Sequence, residues 1–207
     1  MKVAIDAGHG GSDPGAIGNG LYEKDINLNI AQRLKSLLEN CGIEVVMTRA
    51  DDSFISLSQR CNIANTHQVN LFDSIHINAS GVGSAAGVEI HVLGKGGQAE
   101  VAANKILPHL TRNGSFYNRG IKVSNFQVLR DTAMPAVLTE NGFIDNIFDA
   151  GQLSNLVVLQ AIAEAHAKGI CEYFNITFKE TIQPKPIVDN VGQAIDLMQQ
   201  AINVLKG

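Results

Sequence analysis

The short, mostly apolar run Lys2-Val3-Ala4-Ile5-Asp6 breaks directly into Ala7-Gly8-His9-Gly10-Gly11-Ser12-Asp13-Pro14-Gly15. The chain therefore opens with a strand ending in a glycine-rich turn that carries one imidazole. The carboxyl end of a strand is where an open α/β sheet builds its sites. Glycines on either side of His9 let backbone approach closely and leave the ring unshielded, which suits a metal or a substrate better than core packing. On this run alone, a histidine in a tight turn without chemistry is an equal reading.

The pattern downstream alternates. Asp25 is expected to cap a helix whose stripe Ile30, Leu34, Leu37, Leu38 and Cys41 recurs at helical spacing and which Gly42 ends. Ile43–Met47, Leu71–Ile77 and Gly87–Leu93 read as strands, Phe126–Leu129 as a short strand and Ala136–Thr139 as a buried one. Ser56–His67, Gln98–Leu110 and Asn155–Phe174 read as helices. Such alternation predicts an α/β fold: a sheet, partly parallel, with helices on both faces.

At 207 residues with 45% hydrophobic content the chain can bury one full core, and residues 1–176 are expected to form that domain. Thr177–Pro186 carries two prolines and no periodic pattern, and reads as a linker. Beyond it, Val191, Ile195, Met198, Ile202 and Leu205 trace an amphipathic helix too short to argue for a coiled coil. Simple docking or truncation is one expectation for that helix; self-association through residues 189–205, or the start of a missing second module, is the other. The net charge of −4 offers no basic field, so no nucleic acid is expected as a partner. No apolar run reaches the roughly 18 residues needed for membrane insertion. With a strand starting at residue 2, no signal peptide is visible, and synthesis in the cytoplasm is the expectation. The 3 cysteines, Cys41, Cys61 and Cys171, lie in apolar stretches and read as inert core thiols.

Polar groups gather where strands end. Leu71–Asn78 finishes in His76-Ile77-Asn78, the buried run Ala136–Thr139 leads into Glu140, and Glu23 stands just before the first helix. A carboxylate after Ala-Val-Leu-Thr is costly to bury without a charged partner, and a metal would supply one. Two imidazoles and one carboxylate form the three-ligand set of a catalytic zinc site, which leaves a position for water; a second carboxylate then serves as general base. His9, Glu23, His76 and Glu140 meet that requirement. Glu89, in Val88-Glu89-Ile90-His91-Val92, is the competing carboxylate, presented less freely from the middle of a strand. His67, His91, His109 and His166 fall in regular patterns and read as structural or solvent-facing. The turn lacks the third glycine of a dinucleotide fingerprint, and no G-x-S-x-G elbow is present.

Several separated motifs, in order, match one family: Ile5-Asp6 through Pro14-Gly15-Ala16, Glu23-Lys24-Asp25, Thr48-Arg49, Ser74-Ile75-His76-Ile77-Asn78, Val128-Leu129-Arg130, Met134-Pro135-Ala136-Val137-Leu138 and Glu140-Asn141-Gly142-Phe143. Residues 1 to about 175 closely resemble the zinc-dependent N-acetylmuramoyl-L-alanine amidases, the class often called amidase-3. The resemblance implies a twisted, mostly parallel six-stranded sheet, with His9, Glu23 and His76 binding one zinc ion and Glu140 as the catalytic glutamate. It implies bacterial peptidoglycan as partner and substrate, with hydrolysis of the amide between N-acetylmuramic acid and L-alanine. Asn78 is a candidate for holding substrate or oxyanion, and Arg130 and Arg119 for pairing with stem-peptide carboxylates. Asp73 and Asn141 depart from the family pattern at positions usually apolar, which touches local packing rather than ligands. A zinc peptidase acting within the stem peptide and a non-catalytic wall-binding module on the same fold are the rival functions. An endolysin released through phage-made pores, an autolysin and an enzyme of mother-cell lysis all suit such a chain acting at the wall.

Overall fold

The computed structural model describes residues 1–112 and 116–180. The helix expected through Val191 and Leu205, its self-association and the second half of the linker lie outside these residues. Strand β1 (Lys2–Ala7) is followed by a small hairpin, β2 (Ile17–Gly18) and β3 (Leu21–Tyr22), then α1 (Glu23–Asn40) and β4 (Glu44–Met47). Next come α2 (Leu57–Thr66), β5 (Leu71–Asn78), β6 (Val88–Val92), α3 (Gln98–Leu110) and β7 (Asn118–Val123). The chain continues through α4 (Gln127–Arg130), β8 (Ala136–Phe143), α5 (Ile147–Leu153) and α6 (Leu156–Tyr173).

Six strands form one sheet in the order β4-β1-β5-β8-β6-β7. Every neighbouring pair is parallel except β6 against β8. The carboxyl ends of β4, β1, β5 and β8 thus share one edge, while β6 and β7 present their amino ends there. The period of two divides the core. Val3, Ile5, Leu71, Ile75 and Ile77 pack with the apolar faces of α1, α3 and α6. Ala4, Phe72, Ala136 and Leu138 face the other way, against Cys61 and Ala64 of α2 and Val128 and Leu129 of α4. The expected α/β architecture, a mostly parallel six-stranded sheet covered on both faces, is the one observed. Cys41, Cys61 and Cys171 are buried free thiols, as expected.

Local readings differ in four places. Phe126–Leu129 is not a strand; the segment forms the short helix α4, whose Val128 and Leu129 reach the core from consecutive positions. The outer strand is instead β7, an edge strand with no fully buried side chain and hence little apolar pattern, broken in register where Gly120 takes a left-handed φ of 83°. Asp25 does not cap α1: the helix begins at Glu23, with Tyr22 at the cap making no side-chain bond, because the Glu23 carboxylate has other work. Helix α5, capped by Asn146, was not anticipated. Helix α2 falls within the expected Ser56–His67, its start fixed by a reciprocal capping box of Ser56 and Gln59.

The two departures from the family pattern explain each other. His166 of α6 is fully buried between them, its Nδ1 2.7 Å from Asp73 Oδ2 and its Nε2 3.0 Å from Asn141 Oδ1. The Asn141 amide nitrogen donates to Thr139 Oγ1 at 3.0 Å and to the His76 carbonyl at 3.3 Å, which turns its oxygen toward the imidazole. Three polar side chains in an apolar layer pair with one another, only Asp73 Oδ1 lacking a partner among the described residues, and removing one member strands the rest. His166→Leu is therefore expected to cost about 3–5 kcal/mol, read as a lowered unfolding midpoint in urea. Adding Asp73→Val and Asn141→Val to that variant should recover most of the loss. Additive losses across the three substitutions would contradict a single coupled unit.

Candidate functional site

The carboxyl ends of β1 and β5 and the start of α1 converge. His9 takes a left-handed φ of 61°, a conformation costly for a residue with a side chain. Two arginines hold it there. Arg49 donates through Nε to the Ala7 carbonyl and through Nη2 to that of Gly8, both at 2.8 Å. Arg60 donates through Nη1 to the Ala7 carbonyl at 2.7 Å and through Nη2 to the His9 carbonyl at 2.6 Å. Arg60 is in turn anchored by the fully buried Asp6 at 2.7 Å, which also accepts from Thr48 Oγ1 and Ser74 Oγ. Burial alone would push the Asp6 carboxyl up; the Arg60 guanidinium and the two hydroxyls hold it below the usual carboxylate range. Gly8 has to be glycine because a methyl there would fall inside the His76 ring.

Glu23, at the first position of α1, bridges the two imidazoles. Its Oε2 lies 3.2 Å from His9 Nε2 and its Oε1 2.9 Å from His76 Nδ1, while the two rings stand 5.0 Å apart at 81°. Backbone N–H groups of Ala16 and Ile77 donate to it at 2.8 and 3.0 Å. Burial raises the Glu23 carboxyl, but the hydrogen bonds and charges of His76 and His9 outweigh it and hold the group far below the carboxylate range. His9 Nδ1 faces Asp13 Oδ2 at 2.8 Å, so both ring nitrogens of His9 meet carboxylates. Two carboxylates on one imidazole favour its protonated form, and a cation at Nε2 would take the place of one proton. Burial lowers the His9 pKa, and Glu23 and Asp13 more than reverse this, so the net shift is upward.

One donor atom from each of His9, Glu23 and His76 lies within 4.8 Å of the others, close enough to share an ion. Nitrogen, nitrogen and carboxylate oxygen are a donor set that zinc accepts, and Asp13 is placed where an outer carboxylate would orient such an imidazole. A further observation fits a cation here. Glu140, the partner of His76 in the β5–β8 register, has a buried Oε2 without a hydrogen-bond partner among the described residues. Burial, then the charges of Glu23 and Glu89, push its carboxyl well above the ordinary range. A dication beside it would offset all three.

Glu89 stands opposite Glu140 across β6 and β8 but is fully engaged: Arg119 Nε donates to it at 2.9 Å and Asn78 Nδ2 at 3.2 Å, with His91 Nε2 at 3.3 Å. Asn78 is thus beside the site, its amide turned to Glu89 and its oxygen accepting from the Ala79 N–H. Arg119 also lies over the Phe143 ring at 4.8 Å. Arg130 is not beside the site. It is exposed and bonded to Asp131 and Asn125, in a segment that Asn65 ties to the end of α2 just before the chain enters β8 at the opposite edge of the sheet. Sequence reasoning missed the roles of Arg49, Arg60 and Asp13. A buried Asp6 in the first strand was the available sign that a cation must reach it.

The chain is similar to known proteins over most of its length. The family model described as N-acetylmuramoyl-L-alanine amidase, Amidase_3, matches residues 3–172. The sporulation-specific N-acetylmuramoyl-L-alanine amidase of Bacillus subtilis is 41% identical over 179 residues, covering 85% of this chain and 69% of that protein. The endolysin of Bacillus phage SPP1 is 42% identical over 185 residues, covering 86% and 67%. The solved catalytic domain of the amidase CwlV from Bacillus (Paenibacillus) polymyxa superposes with a TM-score of 0.81 at 37% identity, covering 85% of this chain and 99% of that one. With fold, motifs and relatives in agreement, the chain belongs to the Amidase_3 family of N-acetylmuramoyl-L-alanine amidases, hydrolases of peptidoglycan amide bonds.

Proposed function

We propose that the ion this family member uses is zinc, held by His9, Glu23 and His76, and that Glu140 is the general base. The bond cut joins the lactyl group of N-acetylmuramic acid to the L-alanine of the stem peptide. The observation that carries the reading is the buried Oε2 of Glu140, without a partner among the described residues, near three converging donor side chains. The chemistry supplied by zinc in such a set is polarisation of the scissile carbonyl and activation of water near neutral pH. An unactivated amide needs more. Glu140 accepts the proton of the attacking water on its carboxylate and delivers it to the departing amine. Glu89 is the weaker candidate because Arg119, Asn78 and His91 already occupy its oxygens. Asp13 fixes the His9 ring, and Arg49 and Arg60 fix its backbone, so the donors need not reorganise on binding.

Mass spectrometry of digested cell walls tests the bond. Stem peptides released intact, with new free amino groups on alanine, are expected. New termini inside the peptide would favour the peptidase, and no digestion by a zinc-loaded sample would favour the binding module. No helix among the described residues is long and apolar enough to cross a membrane.

A further inference from the structure

A cleft of about 330 Å³ opens on the far side of His9 and His76 from Glu140, between those rings and Phe54 and Leu57. It belongs to the β4–α2 connection and the end of β1, whereas Glu140 stands on β8, with β5 between them. We infer that this cleft is the saccharide subsite, taking the neutral N-acetylated pyranose on the acyl side of the scissile amide. The inference rests on Glu140 as the proton carrier.

Three observations support it. Phe54 and Leu57 are 54% and 52% exposed, so two large apolar side chains face water at the mouth of the site. The charged groups lining the cleft are already paired, Arg60 with Asp6 and Asp13 with His9. An anionic stem peptide finds no unpaired cation among them, while a neutral ring with an apolar C–H face finds an aromatic surface. Direction follows from the proton. Glu140 protonates the departing nitrogen, so L-alanine and the peptide lie on the β8 side. The four substituents of a tetrahedral carbon diverge, and the acyl arm points away from that nitrogen, past the two imidazoles and into the cleft. That arm is the lactyl ether of the sugar.

Two substrates separate this role from general damage: N-acetylmuramoyl-L-alanyl-D-isoglutamine, and N-lactoyl-L-alanyl-D-isoglutamine, which keeps the scissile amide and lacks the sugar. With the full zinc-loaded chain, the first is expected to be cleaved with about tenfold higher kcat/KM than the second. Phe54→Ala should remove that advantage through KM, leave hydrolysis of the lactoyl compound unchanged, and leave the unfolding midpoint unchanged. Phe54→Trp should retain the preference. Equal loss on both substrates in Phe54→Ala, or no preference in the parent protein, would overturn the subsite. Failure of Glu140 as proton carrier would be seen separately, as retained hydrolysis in Glu140→Gln.

Discussion

Glu140→Gln is expected to lower hydrolysis of cell walls by about 10²–10⁴-fold while metal affinity is retained. The substitution keeps shape and removes the base. Its second effect sets this apart from a ligand mutation. Glu140 is held above its ordinary range by burial and by the negative charges of Glu23 and Glu89, so the neutral amide is no harder to bury than the carboxylate it replaces. The variant should therefore be at least as stable as the parent when metal is stripped. Metal-free unfolding in urea and turbidity loss of purified walls read the two effects independently. Wall lysis at the parent rate would remove Glu140 from the chemistry.

The second large effect is expected at Arg60. Arg60→Met leaves Asp6 fully buried without its ion-pair partner, removes the arginine bond to the His9 carbonyl and leaves the Ala7 carbonyl with Arg49 alone. Breaking such a pair costs about 3–5 kcal/mol. The left-handed His9 also loses the bond that opposes its relaxation, so zinc affinity should fall about 10–100-fold, the range seen when groups that orient metal ligands are removed. Arg60→Lys restores the charge but cannot donate to Asp6 and two carbonyls in one plane, and should recover stability more than affinity. Chelator competition gives the affinity. The Asp6 carboxyl is lower in the folded chain than in the unfolded one, so its contribution is present at neutral pH and fades as pH falls through and below the ordinary carboxylate range. Arg60→Met should flatten that part of the stability–pH curve. Unaltered zinc affinity in a folded Arg60→Met would show that the turn holds His9 without it.

What was legible in the sequence shares one physical origin: each signal is a local violation. A histidine flanked by glycines and a glutamate after a buried apolar run both break the local rule for core segments, and both lie at the site. Most of the sheet and α2 were legible through strand and helix periods. The clamp around His9 was not, because Arg49 and Arg60 each sit in ordinary polar surroundings along the chain and become buried only when β4 and α2 close over the turn. Strand β7 escaped because an edge strand exposes its side chains, and α4 because two adjacent apolar residues suit a strand and a single helical turn alike. Asp73 and Asn141 were noticed as exceptions, yet their reason, His166, arrives from α6 far along the chain.

The most direct test is anomalous diffraction at the zinc edge from crystals of the zinc-loaded chain. One peak is expected, about 2.0–2.2 Å from a nitrogen of His9, a nitrogen of His76 and a carboxylate oxygen of Glu23, with a position left open toward solvent and Glu140 outside the coordination shell. A peak elsewhere, or an ion closed off by four protein ligands with Glu140 among them, would contradict the account.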